Sequence, residues 1–118
     1  MYMTYSETVK APENQPTEYD LLSEKEKAAL QKWIDERIRP NIIKTYNRSF
    51  TSYGLKHYFE HEVGLYVSNG AFKGAMLEAQ ILPKNPKDLN WVFKLSRKFE
   101  QVEREAKAAA FDFRVFEE

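Results

Sequence analysis

Residues 65–77, LYVSNGAFKGAML, decide the fold this sequence encodes. Leu65, Tyr66 and Val67 make a compact apolar turn, and Ser68-Asn69-Gly70 interrupts it just before a helical pattern begins. A serine hydroxyl satisfies the free N–H groups of a helix's first turn, so Ser68 reads as an N-cap. Phe72, Ala75, Met76 and Ala79 then recur at the spacing of one buried helical stripe. The opposite face carries Asn69, Gly70, Lys73, Gly74 and Gln80 and is small and mildly basic. Just upstream, Ser52 reads as the cap of a preceding helix with Leu55, Phe59 and Val63 turned to the core. Gly64 stands where a left-handed terminating residue is wanted. The whole is the pattern of a helix-turn-helix.

Working outward, Ser23 and Glu26 in SEKE form a capping box ahead of a helix with Leu30, Trp33, Ile34 and Ile38 on one stripe. Pro40 should end or bend that helix. Residues 41–51, NIIKTYNRSFT, read either as a further helical turn or as a short extended connection. Beyond Gln80 the period changes to two, and Leu89, Trp91, Phe93 and Leu95 fall to one side. The expectation there is a β-hairpin over about 81–95 whose loop holds Lys84, Asn85, Pro86, Lys87 and Asp88. Ser96 is placed to cap a last helix over about 97–110, with Phe99, Val102, Ala106 and Ala109 inward. Residues 1–20 are polar, contain Pro12 and Pro16, show no period, and read as a flexible tail that Tyr2, Tyr5 and Tyr19 could dock onto the body. The fold expected is therefore α+β and mostly helical. It is a winged helix-turn-helix-like domain over 21–118 with one β-hairpin and an extra C-terminal helix.

With 118 residues the chain suits one hydrophobic core. No window approaches 18 consecutive apolar residues, which speaks against a membrane span. The start, MYMTYSETVK, lacks the basic and apolar regions of a signal peptide, so the expected compartment is the cytoplasm. Without cysteine there are no disulfides, thiolate metal sites or cysteine nucleophiles. The net charge is zero but unevenly spread: −4 over residues 1–36, +7 over 37–98 and −3 over 99–118. A basic middle between acidic ends points to a polyanion partner.

A winged helix places its second helix-turn-helix helix in the major groove, whose width demands a narrow face where the backbone approaches. On that reading Asn69, Lys73 and Gln80 read base edges, and Gly70 and Gly74 let the helix come close. Arg48, Lys56, Lys84, Lys87 and Lys94 hold phosphates of double-stranded DNA. The competing reading is that Gly70 and Gly74 admit another protein segment. Each glycine in a helix costs about 1 kcal/mol relative to alanine, so some contact needs them.

HYFEH, residues 57–61, matches the inverted zinc-protease pattern, with His57 and His61 sharing a helix face. These are the only two histidines, and a distal carboxylate such as Glu100 or Glu103 would have to fold back as third ligand. Neither a glycine-rich phosphate loop nor a nucleophile elbow is present. The expectation is a binding protein without metal or cofactor, not an enzyme.

The stretches SYGLKH (52–57), GLYVSNGAFKGAML (64–77) and NPKDLNWVF (85–93) resemble a family of small proteins from phages and integrative elements of Gram-positive bacteria. The order of second helix, third helix and hairpin is also similar to the winged-helix domain that closes phage and plasmid primases. That resemblance implies a nucleic-acid-binding accessory or regulatory protein of a mobile element, acting in the bacterial cytoplasm. It also opens an alternative: a phage-encoded inhibitor of a CRISPR or other defence nuclease, whose acidic stretch 7–36 would imitate phosphate. A third possibility is a homodimer built through the aromatic segment Phe111–Phe116.

Overall fold

A computed structural model describes residues 4–100 of the chain. Helix α1 (Tyr5–Lys10) is followed by two short 3-10 segments, Pro12–Asn14 and Pro16–Leu21. Helix α2 (Glu24–Trp33) runs on through a π turn, Ile34–Ile38, and a 3-10 turn, Arg39–Asn41, that closes around Pro40. Strand β1 (Ile42–Thr51), helix α3 (Ser52–Val63), helix α4 (Asn69–Glu78) and strand β2 (Val92–Leu95) complete the regular elements, and a helix begins at residues 98–100. The protein is thus α+β and mostly helical, with one two-stranded antiparallel sheet.

Local chemistry explains the boundaries. The capping box at Ser23 is closed in both directions: Ser23 Oγ accepts from Glu26 N–H at 3.1 Å, and Glu26 Oε1 accepts from Ser23 N–H at 2.9 Å. The Ser23 N–H foremost, and the Ser23 side chain after it, hold the Glu26 carboxyl below its ordinary pKa. Ser68 Oγ accepts from Ala71 N–H at 3.0 Å to start α4, and Gly64 ends α3 with φ of 82°. The cap of α3 is Thr51, not Ser52: Thr51 Oγ1 accepts from Gly54 N–H, while Ser52 is buried and bonded elsewhere.

Strands are placed differently from the sequence expectation. The ambiguous stretch after Pro40 is a ten-residue strand, and it pairs with β2 across the intervening α3 and α4. Ile42 faces Leu95, Asn47 faces Phe93 and Thr51 faces Val92, so the register shifts twice as the longer strand passes the shorter one. Of the hairpin expected over 81–95, only its second strand forms. One backbone bond, Lys84 N–H to Val92 C=O at 2.9 Å, closes the loop between.

The core gathers Leu30, Trp33, Ile34, Leu55, Phe59, Phe72, Met76, Phe93, Leu95 and Phe99, all nearly or fully buried. Trp33 takes Phe59, Phe72 and Phe99 edge-to-face at 5.6–6.2 Å, which ties α2, α3, α4 and the start of the last helix together. Val63, expected inward, is 40% exposed because it lies in the last turn of α3.

The N-terminal segment is not a tail. Pro16–Leu21 lies along α4, Tyr19 is buried, and Gln31 Nε2 donates both to Tyr19 Oη (3.2 Å) and to Ala75 C=O (2.9 Å). With that segment on one side and the core on the other, Asn69 through Met76 are buried all round. The rest of the helix expected over about 97–110 and the aromatic segment Phe111–Phe116 lie outside the described residues.

Candidate functional site

Four residues of α4 expected to meet DNA are covered. A Cβ on Gly70 would overlap the backbone of Gln15, and one on Gly74 would overlap the Pro16 carbonyl and Tyr19 Cβ. The narrow face of α4 therefore admits a protein segment, and that segment is the chain's own. Asn69 is buried at the junction of three elements. Its Oδ1 accepts from the Ser52 hydroxyl at 2.8 Å, and its Nδ2 donates to Leu89 C=O at 3.0 Å, with Asn90 Oδ1 and Asn14 Oδ1 each at 3.3 Å. Ser52 Oγ in turn accepts from Trp91 N–H at 2.9 Å.

Lys73 is 1% exposed. Its Nζ donates to the carbonyls of Asn14 (3.1 Å) and Asp88 (3.4 Å) and sits 5.1 Å from the Trp91 ring centre. Burial pushes its pKa down to about 8 against the pull of the Asp88 carboxylate. Gln80 is exposed but stands past the far end of α4, where it takes a left-handed φ of 63° to turn the chain. Asn69, Lys73 and Gln80 thus form no common reading surface.

The residues expected to hold phosphate separate into two kinds. Arg48 on β1, Lys94 on β2, and Lys84 and Lys87 in the loop are exposed. Lys56 is not: it is buried, its Nζ lies 3.2 Å from Glu60 Oε2, and the Tyr53 and Tyr66 rings flank it at 5.5 and 4.9 Å. Sequence reasoning overlooked Lys44, Arg97 and Lys98, which are also exposed. The signal was available. No Asp or Glu occurs from Arg37 through Phe59, or from Val92 through Phe99. Pairing β1 with β2 brings those two acid-free stretches side by side. On the outer face, Lys94 Nζ lies 5.1 Å from the ring centre of Tyr46, while its neighbours Phe93 and Leu95 point into the core.

The Glu60 carboxylate of the HYFEH stretch is turned to structural use. Its Oε2 accepts from Lys56 and from Val67 N–H (3.1 Å), and its Oε1 lies 3.1 Å from His57 Nδ1. Among the described residues no group of three His, Asp or Glu is gathered at one point. Carboxylates of the acidic stretch are likewise dispersed: Glu26 folds back on Ser23, and Asp35 lies 2.9 Å from Arg39 Nε.

A cleft of about 530 Å³ opens beside the end of the ribbon, between α3, the 64–68 turn and the 89–90 loop. Tyr53, Lys56, Tyr66, Asn69, Asn90 and Glu13 are among its walls. No family model, curated protein or solved structure matches the chain. No described helix is long and apolar enough to cross a membrane.

Proposed function

We propose that this protein binds nucleic acid, as an accessory or regulatory factor, through the outer face of the β1–β2 ribbon. The observation that carries the reading is that the ribbon's exposed charges are all of one sign. Lys44, Arg48 and Lys94 stand exposed on it, Arg97 and Lys98 follow directly, and neither acid-free stretch contributes a carboxylate. A polyanion gains most from such a surface, because each phosphate neutralised releases a condensed counterion.

The order of elements supports a winged-helix-like arrangement. A helix, a strand, two helices joined by a capped turn, a loop and a returning strand follow in sequence, and the first strand pairs with the last. In that frame the loop with Lys84 and Lys87 is the wing. The contact surface is ribbon and wing, not α4, since a strap of residues 14–19 occupies the face that would enter a groove. Contacts of this kind are made to phosphates and position the protein without reading sequence.

The test is anisotropy with a labelled oligonucleotide over a range of salt. With about five cations in contact, the log-log salt slope should be near −4 to −5. Arg48→Glu and Lys94→Glu together should weaken binding by at least tenfold and flatten the slope. Charge reversal at Glu24, an exposed residue on α2, should leave binding equal or stronger. If reversal at Glu24 abolishes function while the ribbon changes leave it intact, the protein acts through its acidic surface on a protein partner instead.

A further inference from the structure

We infer that the cleft beside the ribbon receives an unpaired nucleobase, so that the preferred ligand is single-stranded nucleic acid and not duplex; this rests on the ribbon reading above. The cleft's size, about 530 Å³, lies within the range that buries a small organic ligand. Its position follows from the chain path. Thr51 and Val92 pair at one end of the ribbon, and the residues just beyond them, Tyr53 and Asn90, are walls of the cleft. A phosphate chain running along Lys44 and Arg48 towards that end arrives at the cleft mouth.

The walls fit a flat, neutral ring better than a phosphate. Tyr53 and Tyr66 are 51% and 74% exposed, so each ring keeps a large part of its surface open to a ligand, and they flank the same Lys56 ammonium. His57 meets the Tyr53 ring edge-to-face at 4.5 Å, which steadies the ring. Asn90, exposed at the rim, accepts from Asn69 through Oδ1 and offers its Nδ2 donor to the acceptor groups of a base. The charge here is already balanced, because Lys56 is paired with Glu60 and Glu13 adds a second carboxylate at the wall. Phosphates are thus favoured on the ribbon and disfavoured inside the cleft. Stacking on aromatic rings beside a cationic track is how proteins hold single strands, since every base has a π-face and only an unpaired base offers it.

The experiment compares a labelled oligo-dT, a duplex of equal length and an abasic oligonucleotide by anisotropy at low salt with the full chain. The single strand should bind about tenfold tighter than the other two, and Tyr53→Ala and Tyr66→Ala should each remove most of that advantage. The same variants should leave duplex affinity and its salt slope unchanged, and Tyr53→Phe and Tyr66→Phe should retain single-strand binding. Both tyrosines are exposed, so circular dichroism should confirm unchanged folding. Equal affinity for all three probes, each weakened by ribbon charge reversal, overturns the base cleft and leaves the ribbon reading standing. Absence of binding to every probe overturns both.

Discussion

Gly74 of α4 lies directly beneath the carbonyl of Pro16, with no room for a side chain between them. Gly70, one turn earlier, makes the same approach to the backbone of Gln15. Two opposing effects therefore meet in an alanine substitution. Alanine improves helix propensity by about 1 kcal/mol at an interior position. The added methyl, however, meets backbone atoms, which cannot swing aside as a flexible side chain would. Overpacking of this kind costs about 1–3 kcal/mol, and here the whole 14–19 segment must lift. We expect Gly70→Ala and Gly74→Ala each to lower stability in denaturant titrations despite their better propensity, and to speed proteolysis near residues 11–22. Unchanged or raised stability would show that the strap is not held on α4.

Lys73 gives the protein a distinctive alkaline behaviour. Its pKa is about 8 when folded, well below the ordinary lysine value of 10.5. Below about pH 8 both folded and unfolded chains carry the proton, and the fold bears the full penalty of a buried ammonium. Between about 8 and 10.5 the unfolded chain binds more protons, so stability rises with pH and the penalty is gone above that window. We expect stability to increase between pH 8 and 9.5, before tyrosines ionise. Lys73→Met should remove that rise and leave Asn14 and Asp88 carbonyls without their donor. A Lys73→Met protein with the same pH slope as the parent would assign the rise to another group. Binding of nucleic acid should respond to Lys73→Met only through stability, because the ammonium is enclosed.

How far the sequence disclosed this arrangement depends on the range of the interactions concerned. Ser23, Ser68 and Gly64 act on backbone groups three or four residues away, so their roles were visible in the spacing. The stripe Leu30, Trp33, Ile34 and Ile38 was visible for the same reason. Strand β1 was not, because its partner lies beyond two helices and its apolar residues Ile42 and Ile43 are adjacent instead of alternating. The docked N-terminal segment was hidden more deeply. It buries few apolar side chains of its own, and its fit depends on the absence of side chains at Gly70 and Gly74. Lys73 and Lys56 misled because lysine is almost never fully buried unless its ammonium is partnered. Here carbonyls, a carboxylate and aromatic faces supply the partners, and none of these is near in sequence except Tyr53 and Glu60 beside Lys56. Of the residues expected to hold phosphate, Arg48, Lys84, Lys87 and Lys94 keep an exposed position, which fits their simpler demand on the fold.

An ion pair between Arg37 and Glu62 joins α2's extension to α3. Arg37 Nε and Nη2 reach Glu62 Oε1 and Oε2 at 2.8 and 3.0 Å, a two-pronged pair that is mostly buried. Trp33 Nε1 donates to the same Oε1 at 2.9 Å, and the guanidinium lies 4.3 Å from the Phe99 ring centre. Removing one partner strands the other charge out of water, so Glu62→Ala or Arg37→Ala should each cost about 3–5 kcal/mol. Replacing both with apolar residues of similar volume, Arg37→Met with Glu62→Leu, removes the stranded charge. The double variant should therefore lose less stability than the more damaging single one. It should not recover fully, because Trp33 keeps a buried N–H without an acceptor, at about 1–3 kcal/mol. A double-mutant cycle read by urea titration measures the coupling directly. Additive losses from the two singles would mean that the pair is solvated and contributes little, and that the aromatic contacts of Trp33 hold α2 to α3 by themselves.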